Sequence, residues 1–370
     1  MKWLWFVGAL IVGWIILVEL DKRKKLGDGT ERHSILFIVR TGRGRDFISR
    51  LASHKRFWRI FGNIGVVVGI SGMLLMFYAI GMLLYSKYYI GIPVPGFQAV
   101  IPGVTIPFWY GIAGLITVLV VHELSHGILA IAEGIPLKSA GIVFLTALPI
   151  GAFIEPDDDE LQRKSIGAKL RVYSVGSFGN ILLFILALAL IVSFKGMFFG
   201  NPMINIVGVT EGSPADGVLE AGMVLTSING MEVSSMQDFQ AAVKDIAPDQ
   251  TIVLTSEDET YTLIAAPKKG DPSGGYIGIY AKEDRLIKEG MSKHAYFILF
   301  WVAFLNQGIA LVNLAPLHFG VAATDGHYIL KEIIGRFIQE ENAEKVTTFI
   351  STTTLIAVLL SIVNPLSLLG

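Results

Sequence analysis

Val121-His122-Glu123-Leu124-Ser125-His126 stands inside an apolar run, about Pro107 to Ala132, that is long enough to cross a bilayer. On a helix His122 and His126 lie at i and i+4, so both imidazoles leave one face and can bind a single zinc ion. Glu123, one position round, can reach a water on that metal. Ionisable groups deep in a spanning helix cost several kcal/mol unless paired, so they are rare and usually mark function.

The surrounding composition agrees with a membrane setting. The chain has 370 residues, of which 52% are hydrophobic and 16% charged, with a mean hydropathy of +0.59. Those values exclude an ordinary soluble domain. Net charge is -1 and no block of the chain suggests a nucleic-acid surface, so no nucleic-acid partner is expected. There is no cysteine, which excludes disulfides, thiolate nucleophiles and Cys-ligated metal. A metal must be held by His, Asp or Glu.

Working outward, Trp3 to Leu20 is a first span, closed by the polar block Asp21-Lys22-Arg23-Lys24-Lys25. Residues 21–60 hold twelve of the thirty Lys and Arg against four acids, which places this loop in the cytoplasm by the positive-inside rule. Phe47, Leu51 and Trp58 recur among Arg45, Arg50, Lys55, Arg56 and Arg59, predicting an amphipathic anchoring helix on the membrane surface. A second span covers about Phe61 to Tyr85, and the following loop to Ile106 carries only Lys87. That loop is expected outside, so the third span runs inward and puts the histidines in its inner half.

Ala140 to Ile154 is apolar but too short to span as a helix, and its β-branched residues, Pro149, Gly141 and Gly151 argue for a re-entrant hairpin or strand pair beside the site. The acidic run Glu155 to Glu160 reads as a solvated face. A fourth span covers about Val175 to Phe194 and opens with Gly176-Ser177-Phe178-Gly179-Asn180, whose small residues permit close helix packing. A fifth covers about His294 to Leu314, and a sixth Thr348 to Val363.

Between the fourth and fifth spans, Met203 to Ala281 holds nothing that could cross a bilayer. A strand Ile204 to Val209, the turn Gly212-Ser213-Pro214-Ala215, Ile228-Asn229-Gly230, a helix capped by Ser235 with Phe239 and Val243 inward, and strands at Ile252 to Thr255 and Tyr261 to Ala265 follow in order. This arrangement resembles a bacterial-type PDZ domain, which implies capture of a peptide or protein terminus by strand addition. Span parity puts it outside the cytoplasm.

Two histidines leave a tetrahedral catalytic zinc one protein ligand short. Asp325, followed by Gly326, lies on the same inner side as His126 and is the best candidate, with His318 and His327 as other possible ligands. His122-Glu123-x-x-His126 in one span, Asn313-x-x-Pro316 and Asp325-Gly326 at a later one, and Gly176-x-x-x-Asn180 together resemble the site-2 protease family of intramembrane metalloproteases, peptidase family M50, over about residues 107 to 330. The resemblance implies one zinc per chain on His122, His126 and Asp325. It makes Glu123 the general base, with Asn313 or Asn180 donating to the scissile carbonyl's developing charge. Transmembrane protein substrates, cut within or beside the bilayer, are implied as partners. The link from Pro316 to Asp325 is longer than in many bacterial members.

The expected architecture is a polytopic α-helical membrane protein of about six transmembrane helices, with a re-entrant β segment and an inserted α/β PDZ-like domain. Its divisions are 1–60, anchor and basic cytoplasmic loop; 61–202, first part of the transmembrane core; 203–281, PDZ-like domain; and 282–370, second part of the core. Two other functions compete: a membrane metalloprotease of another His-Glu-x-x-His class acting on soluble or prenylated termini, and a catalytically dead membrane-anchored PDZ receptor.

Overall fold

The computed structural model describes residues 2–23, 30–33, 36–40, 43–91, 96–145, 148–256, 259–320 and 322–362. Of the features anticipated above, Lys24, Lys25 and Val363 lie outside the described residues. Two compact units make up the chain, one of Met1–Leu190 with Phe297–Gly370, the other Ile191–Tyr296.

The first unit opens with helix α1 (Lys2–Lys22), then strands β1 (Thr30–His33) and β2 (Leu36–Arg40), helix α2 (Arg43–Leu51), and the long helix α3 (Lys55–Tyr85). Helix α4 (Phe108–Ala132), strands β3 (Leu137–Leu145) and β4 (Leu148–Pro156), a short α5 (Asp158–Gln162) and α6 (Ile166–Ser193) follow. The expected re-entrant segment is an antiparallel pair, β3 on β4, with Gly141 opposite Phe153 and Ala140 opposite Ile154. It extends into a four-stranded sheet ordered β1-β2-β3-β4, in which β2 lies along β3 with Leu36 opposite Leu145. Trp14 of α1 packs edge-on against the buried Phe37 of β2, with ring centroids 5.0 Å apart.

The single amphipathic helix expected around residues 45–59 is instead two pieces. α2 ends at Leu51, and Lys55, Arg56, Trp58 and Arg59 belong to the first turns of α3. α2 does more than rest on a surface: its Ile48, and Ala52 just after it, are buried in the same apolar cluster as Ile128, Leu129 and Ala132 of α4. Trp58 donates from Nε1 to the Leu51 carbonyl at 2.7 Å, closing the bend between the two helices.

The second unit begins with the one-turn α7 (Lys195–Phe198) and β5 (Phe199–Val209). β6 (Val224–Ile228), β7 (Met231–Glu232), α8 (Met236–Lys244), β8 (Thr251–Ser256), β9 (Glu259–Ile264), β10 (Ala266–Lys268), β11 (Asp271–Tyr276) and β12 (Ile279–Ile287) complete it. The main sheet runs β12-β5-β6-β8-β9, with β7 paired to β6. Alternate residues Ile204 and Ile206, and Ile252 and Leu254, are fully buried, as a half-buried strand requires. At the β6–β7 turn Asn229 and Gly230 both take positive φ, 51° and 79°, the conformation a two-residue hairpin favours. Ser235 caps α8 in a reciprocal box with Asp238. β5 and β12 pair from Phe199 opposite Ile287 to Val209 opposite Ile279, so this unit is wider at both ends than 203–281.

The chain returns through α9 (Met291–Leu314), α10 (Asp325–Ile334) and α11 (Glu340–Ile362). Among the described residues five helices are long and apolar enough to cross a membrane: Lys55–Ile90, Phe108–Ala132, Ile166–Ser193, Met291–Leu314 and Glu340–Ile362. The protein is therefore a polytopic helical membrane protein. α4 and α9 pack closely where Gly114 leaves room for Leu305 and the Trp301 carbonyl, and Asn306 donates to Thr117 Oγ1 at 3.0 Å across them.

Candidate metal centre

Because α4 continues without a break through residues 122–126, His122 and His126 project one turn apart from the same face. Their Nε2 atoms lie 3.1 Å from each other. Asp325, at the first position of α10, brings Oδ2 to 3.5 Å from His122 Nε2 and Oδ1 to 3.5 Å from His126 Nε2. Each of the three side chains is only 12–14% exposed. Donors held about 2.0–2.2 Å from a tetrahedral zinc stand about 3.3–3.6 Å from one another. The three spacings fit such an ion, with the imidazole pair slightly closer. Two nitrogens and one carboxylate leave one position of a tetrahedron open, as catalytic zinc sites do.

Asp325 comes from about two hundred residues away, and two devices put it there. Gly326 packs so tightly on the end of α9 that a Cβ would run into the Leu314 carbonyl and Ala315. Thr324 ties the neck of the intervening loop: its Oγ1 donates to the Ala315 carbonyl at 2.6 Å and accepts from the Leu317 amide at 3.0 Å. His318 and Ala323 form an isolated antiparallel bridge within that loop, so the long link closes back on itself before Asp325.

The other wall is α6. A Cβ at Gly176 would overlap His126 Nε2 and would come within 2.7 Å of His122 Cε1, so glycine there makes room for both rings. Gly179 does the same for Ser125. The Val172 carbonyl accepts from His126 Nδ1 at 2.7 Å, and Ser177 donates from Oγ to Asp325 Oδ2 at 3.0 Å. A bond at the far nitrogen of a ligating histidine fixes its tautomer and orientation.

The family model of Peptidase family M50 matches residues 110–361, the stretch that contains every group just described. The chain belongs to that family. An uncharacterized protein of Methanocaldococcus jannaschii is 29% identical to this M50 chain over 355 residues, covering 90% of this chain and 88% of its own length. A membrane-bound transcription factor site-2 protease homolog of Arabidopsis thaliana is 30% identical over 128 residues, 34% of this chain and 25% of the plant protein. Among solved structures, the PDZ domain of an SdrC-like protein from Listeria innocua is 26% identical and covers 21% of this chain and 92% of that domain, at a TM-score of 0.19.

The remaining candidate residues of this M50 chain lie on α4, α6, α9 and α10. Glu123 Oε2 accepts from the Ile154 amide of β4 at 3.0 Å. It lines a cavity of about 530 Å³ with Ile38, Arg40, Val143 and Phe153. Asn180 is fully buried against the His122 ring. Asn313 is half-buried in the last turn of α9, next to the Leu314 that Gly326 abuts. His327 is turned away from the donor cluster: its Nδ1 bonds Ser351 Oγ of α11 at 2.9 Å, and its ring lies 5.2 Å from that of His318. Sequence reasoning missed Ser177, Thr324 and the Val172 carbonyl. Ser177 shares a helix face with Gly176 and Asn180, a spacing that could have singled it out; a backbone carbonyl leaves no trace in residue type.

Proposed function

We propose that this M50 protein is a zinc-dependent intramembrane endopeptidase that hydrolyses peptide bonds within or next to transmembrane segments of other membrane proteins. The observation that carries the proposal is the convergence of His122, His126 and Asp325 on one point in a chain of membrane-spanning helices. When bound there, zinc supplies a Lewis acid and a water acidic enough to lose a proton near neutral pH. Glu123 would take a proton from the attacking water as its oxygen bonds to the scissile carbonyl carbon, and would deliver that proton to the peptide nitrogen as the C–N bond breaks. Asn313 donates from its side-chain amide to the carbonyl oxygen as negative charge develops.

A helical substrate has its carbonyls in intrahelical bonds and must be extended before attack. β4 is the last strand in the order β1-β2-β3-β4, and the Ile154 amide that meets Glu123 lies on the edge not taken by β3. An extended substrate segment entering the bilayer beside β4 can pair there and bring its peptide bond alongside Glu123. The basic 21–60 loop supports a cytoplasm-facing active site, with the unit 191–296 outside. That unit acts as a PDZ-like module that recognises a peptide or protein terminus and controls access.

Glu123→Gln tests the reading, because it keeps size and removes basicity. In proteoliposomes with a single-span polypeptide substrate, cleavage should fall by about 10²–10⁴-fold while zinc content stays at the parent level. Cleavage at the parent rate would remove Glu123 from the chemistry.

A further inference from the structure

α6 contributes no ligand, yet its side chains and backbone touch all three. Two of these contacts have the polarity that a metal site requires. The Val172 carbonyl accepts from His126 Nδ1, leaving Nε2 free to ligate, and Ser177 donates to Asp325 without occupying a ligand lone pair on Oδ1. The third contact has the wrong polarity as it stands: Asn180 Nδ2, a donor, lies 3.4 Å from His122 Nδ1.

The His122 Nε2 atom faces His126 and Asp325, so its lone pair must point into the donor cluster. A neutral imidazole then carries its proton on Nδ1, where it needs an acceptor. Meanwhile Asn180 Oδ1 is buried with no hydrogen-bond partner, in a residue that is 0% exposed. An orphaned buried acceptor costs about 1–3 kcal/mol. Turning the amide over about its last bond exchanges nearly isosteric atoms, gives the His122 Nδ1–H an acceptor and Asn180 Oδ1 a donor, and moves Nδ2 to the position that Oδ1 held. The Gly176 carbonyl also faces this ring and can share the proton, but it cannot satisfy Asn180 Oδ1.

We propose that Asn180 is a positioning residue for His122: its Oδ1 accepts from His122 Nδ1–H and locks the tautomer that presents Nε2 to the metal. This rests on the zinc reading above. It also sets Asn180 apart from the developing carbonyl charge, because the residue is fully buried against the His122 ring. α6 is thus the template on which all three ligands are held, through Val172, Ser177 and Asn180.

The test is zinc affinity of the purified full-length chain in detergent, by competition with a chromogenic chelator, for the parent, Asn180→Leu and Asn180→Asp. Asn180→Leu removes the acceptor and should weaken zinc binding by about 10–100-fold. Asn180→Asp keeps acceptor oxygens and loses the donor, so it should bind zinc at least as tightly as the parent. Parental affinity in Asn180→Leu, or an Asp variant as weak as the Leu variant, overturns the assignment while leaving the zinc reading intact. A parent that binds no zinc overturns both. Should Asn180→Leu fail to fold, ¹⁵N-histidine spectra of the zinc-loaded parent decide: His122 should carry its proton on Nδ1 in a hydrogen bond, and an unprotonated Nδ1 there refutes the proposal.

Discussion

Gly176→Ala adds one methyl group at the place where α6 touches both imidazoles. Its Cβ would sit 2.7 Å from His122 Cε1 and 2.7 Å from His126 Cδ2, and closer still to His126 Nε2. Favourable carbon contacts need about 3.5–4.0 Å, so the rings or α6 must give way by about 1 Å. Overpacking of this size costs about 1–3 kcal/mol. If all of it falls on the ligand geometry, zinc affinity drops by about 5–150-fold. Gly167→Ala on the same helix is the control, since its Cβ would meet nothing nearer than Arg171 Nη1 at 3.6 Å. Chelator competition on both purified variants, with thermal unfolding alongside, reads the difference. Equal and parental zinc affinities would mean that the metal is not held by the rings that Gly176 accommodates.

Three further outcomes follow from the packing. Glu133, buried at the end of α4, accepts from Arg171 Nε at 2.8 Å and faces Arg59 at 3.5 Å; Glu133→Gln should cost about 2–3 kcal/mol and lower the thermal midpoint. Excising 199–287 should leave zinc content unchanged, because the Lys288 amide bonds the Phe198 carbonyl at 2.8 Å and a short linker can join those ends; excising 203–281 instead strands the remainders of β5 and β12 and should give a less stable protein by thermal unfolding. The Asp238 carboxyl is held below the usual range by bonds from Ser235 and Ser234. Because its folded value is the lower one, its support of α8 is present above the ordinary carboxylate pKa and is lost as pH falls through the folded value. The protection of α8 amides, with rates corrected for intrinsic exchange at each pH, should therefore fall in acid, and Asp238→Asn should show the lower protection already at neutral pH.

The parts of this structure legible in the sequence are those set by spacing on one element. His122 and His126 need only an unbroken helix, the fifth span ends at Leu314 where expected, and Ser235 caps α8 as its residue type suggests. Non-local pairing was illegible. β1 is Thr-Glu-Arg-His, without any alternation, and β2 is held by β3 about a hundred residues on. β12, rich in charge, becomes a strand because β5 lies beside it eighty residues earlier. The helix expected over 45–59 failed for a related reason: the bend at residues 52–54 is stabilised by Trp58 reaching Leu51 and by Ile48 burying against α4, contacts that periodicity alone cannot register. For Asp325 the sequence offered a residue type and an expected side of the membrane, whereas Gly326 and Thr324 supply the position.

Metal analysis of the purified protein beside its Asp325→Ala variant tests the central claim most directly. The parent should hold one zinc per chain and Asp325→Ala little or none, since two imidazoles alone hold the ion poorly. Full zinc retention by Asp325→Ala would contradict it and would send the search for the third ligand elsewhere.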